Sequence, residues 1–261
     1  MEKKQPGPSN INSISRAFDI LRLFQNEWEL GIQDISRLSG LNKTTVFRVV
    51  KSLEANCILE QNSKNSKYHP GFAIVELAHS VYTNFDVKYI FHPYMKSLRE
   101  EFNEDVVLSV LSDVRAVCIE RFMGDNAINL SSRVGRTLPL YGGSTARVFL
   151  PFLSAGKLQR VCEDLQNAPT EVLLPPTKEE LIDSLNFVRE HGFLSSCGVT
   201  DAGVLSVSIP IPMDSTHIYS LGICGVESRM LEKGVDLITS RMLQSGKQIA
   251  EKLACCDVIG K

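Results

Sequence analysis

The sequence predicts an α+β chain in two parts: a small helical unit closed by a β-hairpin, then a larger domain with a mainly antiparallel sheet flanked by helices. Three observations carry this. Apolar residues recur at helical spacing from Ile14 to Leu53. Two short strand-like runs with a polar loop between them follow directly. Beyond residue 102, β-rich runs alternate with helical stretches.

Composition allows this division. The chain has 261 residues and is 43% apolar, enough for one sizeable core or two smaller ones. A charged fraction of 22% argues against wholesale disorder. No run of 18 uncharged apolar residues is present, which excludes an obvious membrane helix. Met1–Asn10 lacks the apolar core of a secretory signal, and Pro6, Gly7, Pro8 and Ser9 make residues 1–12 read as a flexible arm. The seven Cys are odd in number, form no CxxC pair and lie mostly in apolar stretches, the pattern of a reduced, cytoplasmic chain. A net charge of −2 does not by itself point to nucleic acid. Its distribution is uneven: residues 1–78 hold ten Lys and Arg against eight Asp and Glu, the remainder eighteen against twenty-two. If either part meets phosphates, it is the first.

In that first part, Ile14, Ala17, Phe18, Leu21 and Phe24 form one apolar stripe on a helix from about Ser13 to Asn26. Ile32, Ile35 and Leu38 mark a second helix, stopped at Ser39-Gly40-Leu41, where Gly40 can take positive φ. Asn42 caps a third helix running to about Ala55, with Val46, Val49, Val50 and Leu53 as its buried face. Cys57–Glu60 and Ser66–His69 read as strands joined by the polar loop Asn62–Asn65. Two helices joined by a glycine turn, the second followed by a hairpin, describe a winged helix-turn-helix over residues 13–78.

Such a unit docks double-stranded operator DNA with its third helix. Asn42, Lys43, Thr44 and Thr45 open that helix with small or polar side chains, so its free N–H groups can approach phosphate. Arg48 lies about 200° around the helix from Val46 and projects outward. Thr44 shares that face and Lys51 flanks it. Arg48 suits guanine; Thr44 or Phe47 suits a thymine methyl. Lys64 and Lys67 on the wing suit phosphate, as does Arg16 on the first helix. A merely solvated three-helix subdomain is the plainer alternative, and the hairpin directly behind the third helix argues against it.

Residues 79–101 read as connecting helices and 102–261 as the second domain. Its expected strands are Val106–Ser112, Val117–Phe122, Ala127–Ser131, Val204–Ile211 and Ile218–Val226. Its expected helices are Thr145–Phe152, Leu158–Leu165, Lys178–His191 (Thr177 and Glu180 forming a capping box) and Gly234–Leu253. Within it, Tyr141-Gly142-Gly143-Ser144-Thr145-Ala146-Arg147 joins an extended segment to a helix. Gly142 and Gly143 permit a tight bend and close approach. Ser144 and Thr145 would present helix N-terminal N–H groups to a carboxylate, unless they are an ordinary cap. The spacing is not that of a P-loop.

Three motifs, Ser15-Arg16-Ala17-Phe18-Asp19-Ile20-Leu21, Gly40-Leu41-Asn42-Lys43-Thr44-Thr45-Val46-Phe47-Arg48 and Lys67-Tyr68-His69-Pro70-Gly71, resemble the DNA-binding domain of the IclR family of bacterial regulators. The resemblance continues through Gly135-Arg136-Thr137-Leu138-Pro139-Leu140, His191-Gly192-Phe193, and Gly203-Val204 leading into Ile209-Pro210-Ile211, so it spans residues 13–253. It implies a GAF-like second domain that binds a small metabolite, often an organic acid. The implied contacts are Leu130 and Leu138 on an apolar wall, Ser144 and Thr145, Ser196, Ser206, Gly222 and Cys224. Gly143 and Cys197 complete the expected pocket. It further implies a homodimer that pairs into a tetramer, with repression the commoner role and signal passing through Asp86–Glu101. No cofactor, metal or catalytic residue is expected.

The chain departs from the family in its pocket. Leu194–Val199 holds no acidic residue where relatives carry them, and Ser206 stands where a Cys is common. A pocket without acid or that thiol disfavours zinc and leaves a carboxylate or a neutral aromatic ligand open. Two alternatives rest on cysteine: a thiol- or metal-responsive regulator, with Cys255-Cys256 as its reactive candidates, or a hydrolase pairing Cys197 or Cys224 with His191 or His217.

Overall fold

The computed structural model describes residues 12–84, 87–125, 133–167, 172–214 and 217–256. The expected arm, apart from Asn12, and the expected strand at 127–131, with Leu130, lie outside these residues. The chain forms two compact units, Met1–Asp86 and Val87–Lys261.

The first unit runs α1 (Asn12–Leu23), α2 (Ile32–Ser39), α3 (Lys43–Ala55), β1 (Leu59–Gln61), β2 (Tyr68–Pro70) and α4 (Ala73–Asn84). Gly40 takes φ of 70°, ending α2 in the left-handed region. The Asn42 side chain accepts from the Thr45 N–H at 2.8 Å and starts α3. β1 and β2 pair antiparallel, with Glu60 opposite His69. The core holds Ile20, Phe24, Ile35, Val46, Val50 and Leu59.

The apolar stripe of the first helix is only partly buried. Leu21 and Phe24 of the stripe, with Ile20 beside them, pack into the core that includes Leu30 and the valines of α3. Ile14 and Phe18 of the same stripe are 53% and 58% exposed. Ala17 is only half buried.

The second unit opens with α5 (Val87–Phe102), so the stretch 79–101 divides between the two units. Its six-stranded sheet is antiparallel throughout, in the order β5-β4-β3-β8-β7-β6. The strands are β3 (Asp105–Ser112), β4 (Arg115–Phe122), β5 (Thr137–Pro139), β6 (Leu194–Cys197), β7 (Val204–Pro212) and β8 (Ile218–Val226). Alternation decides which side chains face which layer. Ile209 meets Gly246 of α10 (Val235–Cys256), whereas Ser206 and Ser208 meet Ser144 on the other face. That second face is covered by α6 (Ser144–Arg147), a 3₁₀ turn at Leu150–Phe152, α7 (Ala155–Gln166) and α8 (Lys178–His191).

The helix expected at Thr145–Phe152 is therefore broken. Pro151 has no N–H to continue an α-helical ladder, and the chain tightens into the 3₁₀ turn. The final helix begins after Gly234, which has φ of 84°; a short α9 (Glu227–Lys233) precedes it. α8 carries the expected capping box at Thr177 and Glu180 and ends on left-handed Gly192. No helix among the described residues is long and apolar enough to cross a membrane.

α9 has one clear packing role. The Glu104 carboxylate, 2% exposed, accepts from Arg229 at 2.7 and 2.6 Å and from Lys233. Gly225 leaves it room: a Cβ there would lie 2.5 Å from Glu104 Oε2. Burial pushes the Glu104 carboxyl up, but its hydrogen bonds to Arg229 and Lys233 outweigh this and hold it below its ordinary 4.5. A carboxyl lowered on folding stabilises the fold above that ordinary value, and the contribution is lost as pH falls through the folded value. Urea unfolding should show the wild-type chain losing stability below about pH 4.5, and Glu104→Gln should lose less over the same range. At neutral pH the variant should cost roughly 3 kcal/mol, the low end for a broken buried pair, because both cations keep access to water.

Candidate nucleic-acid interface and effector recess

Val46 and Val50 are fully buried, which turns Lys43, Thr44, Phe47 and Arg48 outward. Phe47 is 50% exposed, high for a large apolar side chain and suited to a thymine methyl. Arg16 of α1 and Arg48 of α3 line one groove together with Thr45, Val49 and Ser52. The turn between α2 and α3 is held locally. Ser36 Oγ donates to the Leu41 carbonyl at 2.6 Å, and Ser39 Oγ accepts from the Leu41 N–H at 3.3 Å.

Lys51 is placed differently from expectation. Its ammonium donates to Glu54 at 2.6 Å and sits 5.7 Å from the centre of the Tyr68 ring. Glu54 first, then Tyr68, hold its pKa above the ordinary value. The cation is thus turned onto its own helix and the wing. Lys64 and Lys67 are exposed on the wing loop. Glu29, which the sequence did not single out, accepts from Asn62 and Asn65 of that loop at 2.7 and 2.8 Å. The partners lie 33 and 36 residues away, so no local pattern announces them.

In the second unit, Gly143, Thr145, Ser196, Thr200, Ser206 and Cys224 line a first recess of about 320 Å³, counted out to its mouth. Val107, Ser109, Ala116, Cys118 and Leu138 line an adjoining second recess of about 240 Å³, with Arg136 also in its lining. Thr145 belongs to both. Each interior is narrow, with room for roughly one water, so a ligand must part the walls.

A chain of hydroxyls forms the polar side. Ser144 Oγ lies 2.8 Å from Ser206 Oγ and 2.9 Å from Ser208 Oγ, and Ser196 and Ser206 are 3.0 Å apart. Ser196 Oγ also accepts the Ser144 N–H at 2.7 Å. This changes the expected anion site. α6 has only four residues, and its leading N–H is already bonded to a serine. Gly222 serves close approach: a Cβ there would lie 2.8 Å from Thr145 Cγ2 and 2.9 Å from Ser208 Oγ.

Two further expectations are corrected. Cys197 is exposed, because strand alternation turns Ser196 inward and its neighbour out. An acid does reach the site: Asp201 lines the first recess, seven residues beyond the start of β6. Ser208, a member of the hydroxyl chain, was likewise not anticipated, since Ser, Val and Ser alternate there as in any half-buried strand.

Cysteine chemistry finds little support. Burial pushes the Cys118 thiol up to about 11 and the Cys224 thiol up to about 12, so neither supplies thiolate near neutrality. His191 stacks on Phe187 at 4.2 Å, and His217 pairs with Asp214 at 2.6 Å. Among the described residues, no group of three or more His, Cys, Asp or Glu is arranged to hold a metal ion. The side chains of Cys255 and Cys256 lie outside the described residues.

Two family descriptions match the chain: the IclR helix-turn-helix domain over residues 13–63, and the bacterial transcriptional regulator IclR C-terminal domain over residues 79–251. The chain belongs to the IclR family. Among its relatives is the HTH-type transcriptional regulator XynR of Escherichia coli, 28% identical over 245 residues, covering 93% of this chain and 97% of XynR. TtgV of Pseudomonas putida, another HTH-type regulator, is 28% identical over 238 residues, covering 90% and 89%. Solved IclR structures share the fold. A regulator from Brucella abortus has a TM-score of 0.77 at 23% identity, covering 94% of this chain and 93% of that one. An IclR homolog from Microbacterium hydrocarbonoxydans, solved with 4-hydroxybenzoate, has a TM-score of 0.77 at 21% identity, covering 93% and 99%. XynR and TtgV are transcriptional regulators, and this chain is a DNA-binding regulator of the same family.

The recess makes a packing prediction. Gly222→Ala should destabilise this IclR protein by about 1–3 kcal/mol in denaturant unfolding, through overpacking against Thr145 and Ser208. Adding Thr145→Ser, which removes Cγ2, should restore part of that loss.

Proposed function

We propose that the chain is a ligand-responsive repressor that binds operator DNA as a homodimer pairing into a tetramer, and that its effector is a small organic or aromatic acid. The polarity of the paired recesses carries the ligand reading. The second recess combines an apolar wall of Val107, Ala116 and Leu138 with Arg136, whose positive charge suits a carboxylate on a compact apolar body. The first recess offers hydroxyls and the acidic residue Asp201, which disfavours a second anion and suits a hydroxyl on the ligand's other end. The homologue bound to 4-hydroxybenzoate supports this class of molecule.

The DNA reading rests on the outward face of α3, with Arg48 as the base-reading side chain and Thr44 and Phe47 beside it. Dimerisation is supported by exposed apolar side chains in the first unit: Phe18 on α1, Phe72 just before α4, and Val75 and Leu77 within it, each more than half exposed.

Thermal unfolding with 4-hydroxybenzoate, benzoate and an uncharged phenol tests the ligand reading. An acid at 100 times its dissociation constant should stabilise the chain by about 2.7 kcal/mol, and Arg136→Gln should remove most of that. Stabilisation by the phenol alone would contradict it. Arg48→Ala should weaken binding to a duplex selected from a random library by about 1–3 kcal/mol and relax the selected sequence at one position. Unchanged sequence preference would remove Arg48 from the reading face.

A further inference from the structure

The wing tip is bonded within itself, by the Asn62 N–H to the Lys67 carbonyl at 2.8 Å and the Ser66 N–H to the Asn62 carbonyl at 2.9 Å, and is also clasped from outside. β1 and β2 have three residues each, and the loop between them, residues 62–67, is polar throughout. Three consecutive residues between α1 and α2 clasp it. Leu30 exchanges two backbone hydrogen bonds with Tyr68, at 3.0 and 2.9 Å, adding a third line of pairing to the hairpin. Trp28, though 67% exposed, stacks on the His69 ring at 5.4 Å and 10°. Glu29 between them spans the tip: Oε1 accepts from Asn62 Nδ2 at 2.7 Å and Oε2 from Asn65 Nδ2 at 2.8 Å.

Those two asparagines are oriented at both ends. Asn62 Oδ1 accepts the Lys64 N–H at 2.9 Å, and Asn65 Oδ1 accepts the Lys67 N–H at 2.9 Å. One carboxylate therefore reaches the backbone of both wing lysines through one amide each. We infer that Glu29 is a positioning residue for DNA binding: it holds the wing tip in the shape that presents Lys64 and Lys67 to the phosphate backbone. This rests on the reading of those lysines as phosphate contacts. The two amide hydrogen bonds lower the Glu29 pKa, which keeps it charged in the state that makes them. Such a charge beside a DNA-binding surface would otherwise only repel phosphate. Its use here is geometric.

The test is the salt dependence of binding to a mixed-sequence duplex, followed by fluorescence anisotropy on the full chain. Each phosphate contact contributes about 0.9 to the slope of log affinity against log salt. Lys64→Ala/Lys67→Ala should make the slope shallower by about two. Glu29→Ala, which removes no cation, should make it shallower by about one to two, and should add nothing further to the double lysine variant. A change in thermal midpoint alone, with the slope of the wild type, would reduce Glu29 to a structural residue and overturn the proposal. A double lysine variant with the wild-type slope would overturn the phosphate reading and the proposal with it. If Glu29→Ala does not fold, Glu29→Gln, which keeps one acceptor for one amide, carries the same test and should fall between the wild type and the lysine variant.

Discussion

Burial of Val46 and Val50 against Ile20, Ile35 and Leu59 sets the rotation of α3. With 3.6 residues per turn, those two positions inside the core leave Thr44, Phe47 and Arg48 no way to face anything but solvent or a partner. The left-handed Gly40 and the Asn42 cap then fix where the helix starts, and so where its free N–H groups point. The groove shared by Arg16 and Arg48 follows from the same packing, because α1 buries Ile20 in the same cluster. A polar substitution at Val46 would therefore disturb reading and stability together, whereas one at Arg48 should disturb reading alone.

The second unit applies the same kind of constraint with a period of two. On β7, Ile209 packs against α10 while Ser206 and Ser208 face Ser144. On β8, Gly222 and Cys224 share the serine face. The hydroxyl chain ties the bend before α6 to the sheet, and the recess lies on both sides of Thr145. Its polarity is set by two residues outside that chain: Asp201 in the first recess and Arg136 in the second.

Much of this was legible in the sequence where a local signal exists. The capping box at Thr177 and Glu180 and the glycine at 192 gave α8 its observed bounds, and an apolar run gave β8 from Ile218 to Val226. α3 was readable from Asn42 and the valines. What failed needed information that a single chain does not display. How much of the α1 stripe is covered depends on what packs against it, so nothing local separates exposed Ile14 and Phe18 from buried Phe24. Choosing Ser196 over Cys197 requires strand register, where one residue reverses the face. Lys51 read as an outward cation until Glu54 and Tyr68 claimed it. Glu29 acts through partners distant in sequence, and Asp201 joins a recess whose other walls include Gly143 and Cys224, so nothing in their own neighbourhoods marks them.

The claim on which the rest depends is that α3 and the wing are the parts that meet DNA. Amide chemical-shift changes in the isotopically labelled full chain, on titration with a duplex selected for binding, test it directly. The shifts should concentrate at Asn42–Lys51, on the loop at 62–67 and around Arg16, with α2 affected least. Shifts confined to the second unit, or spread over α2 and the back of α1 with α3 silent, would contradict the account.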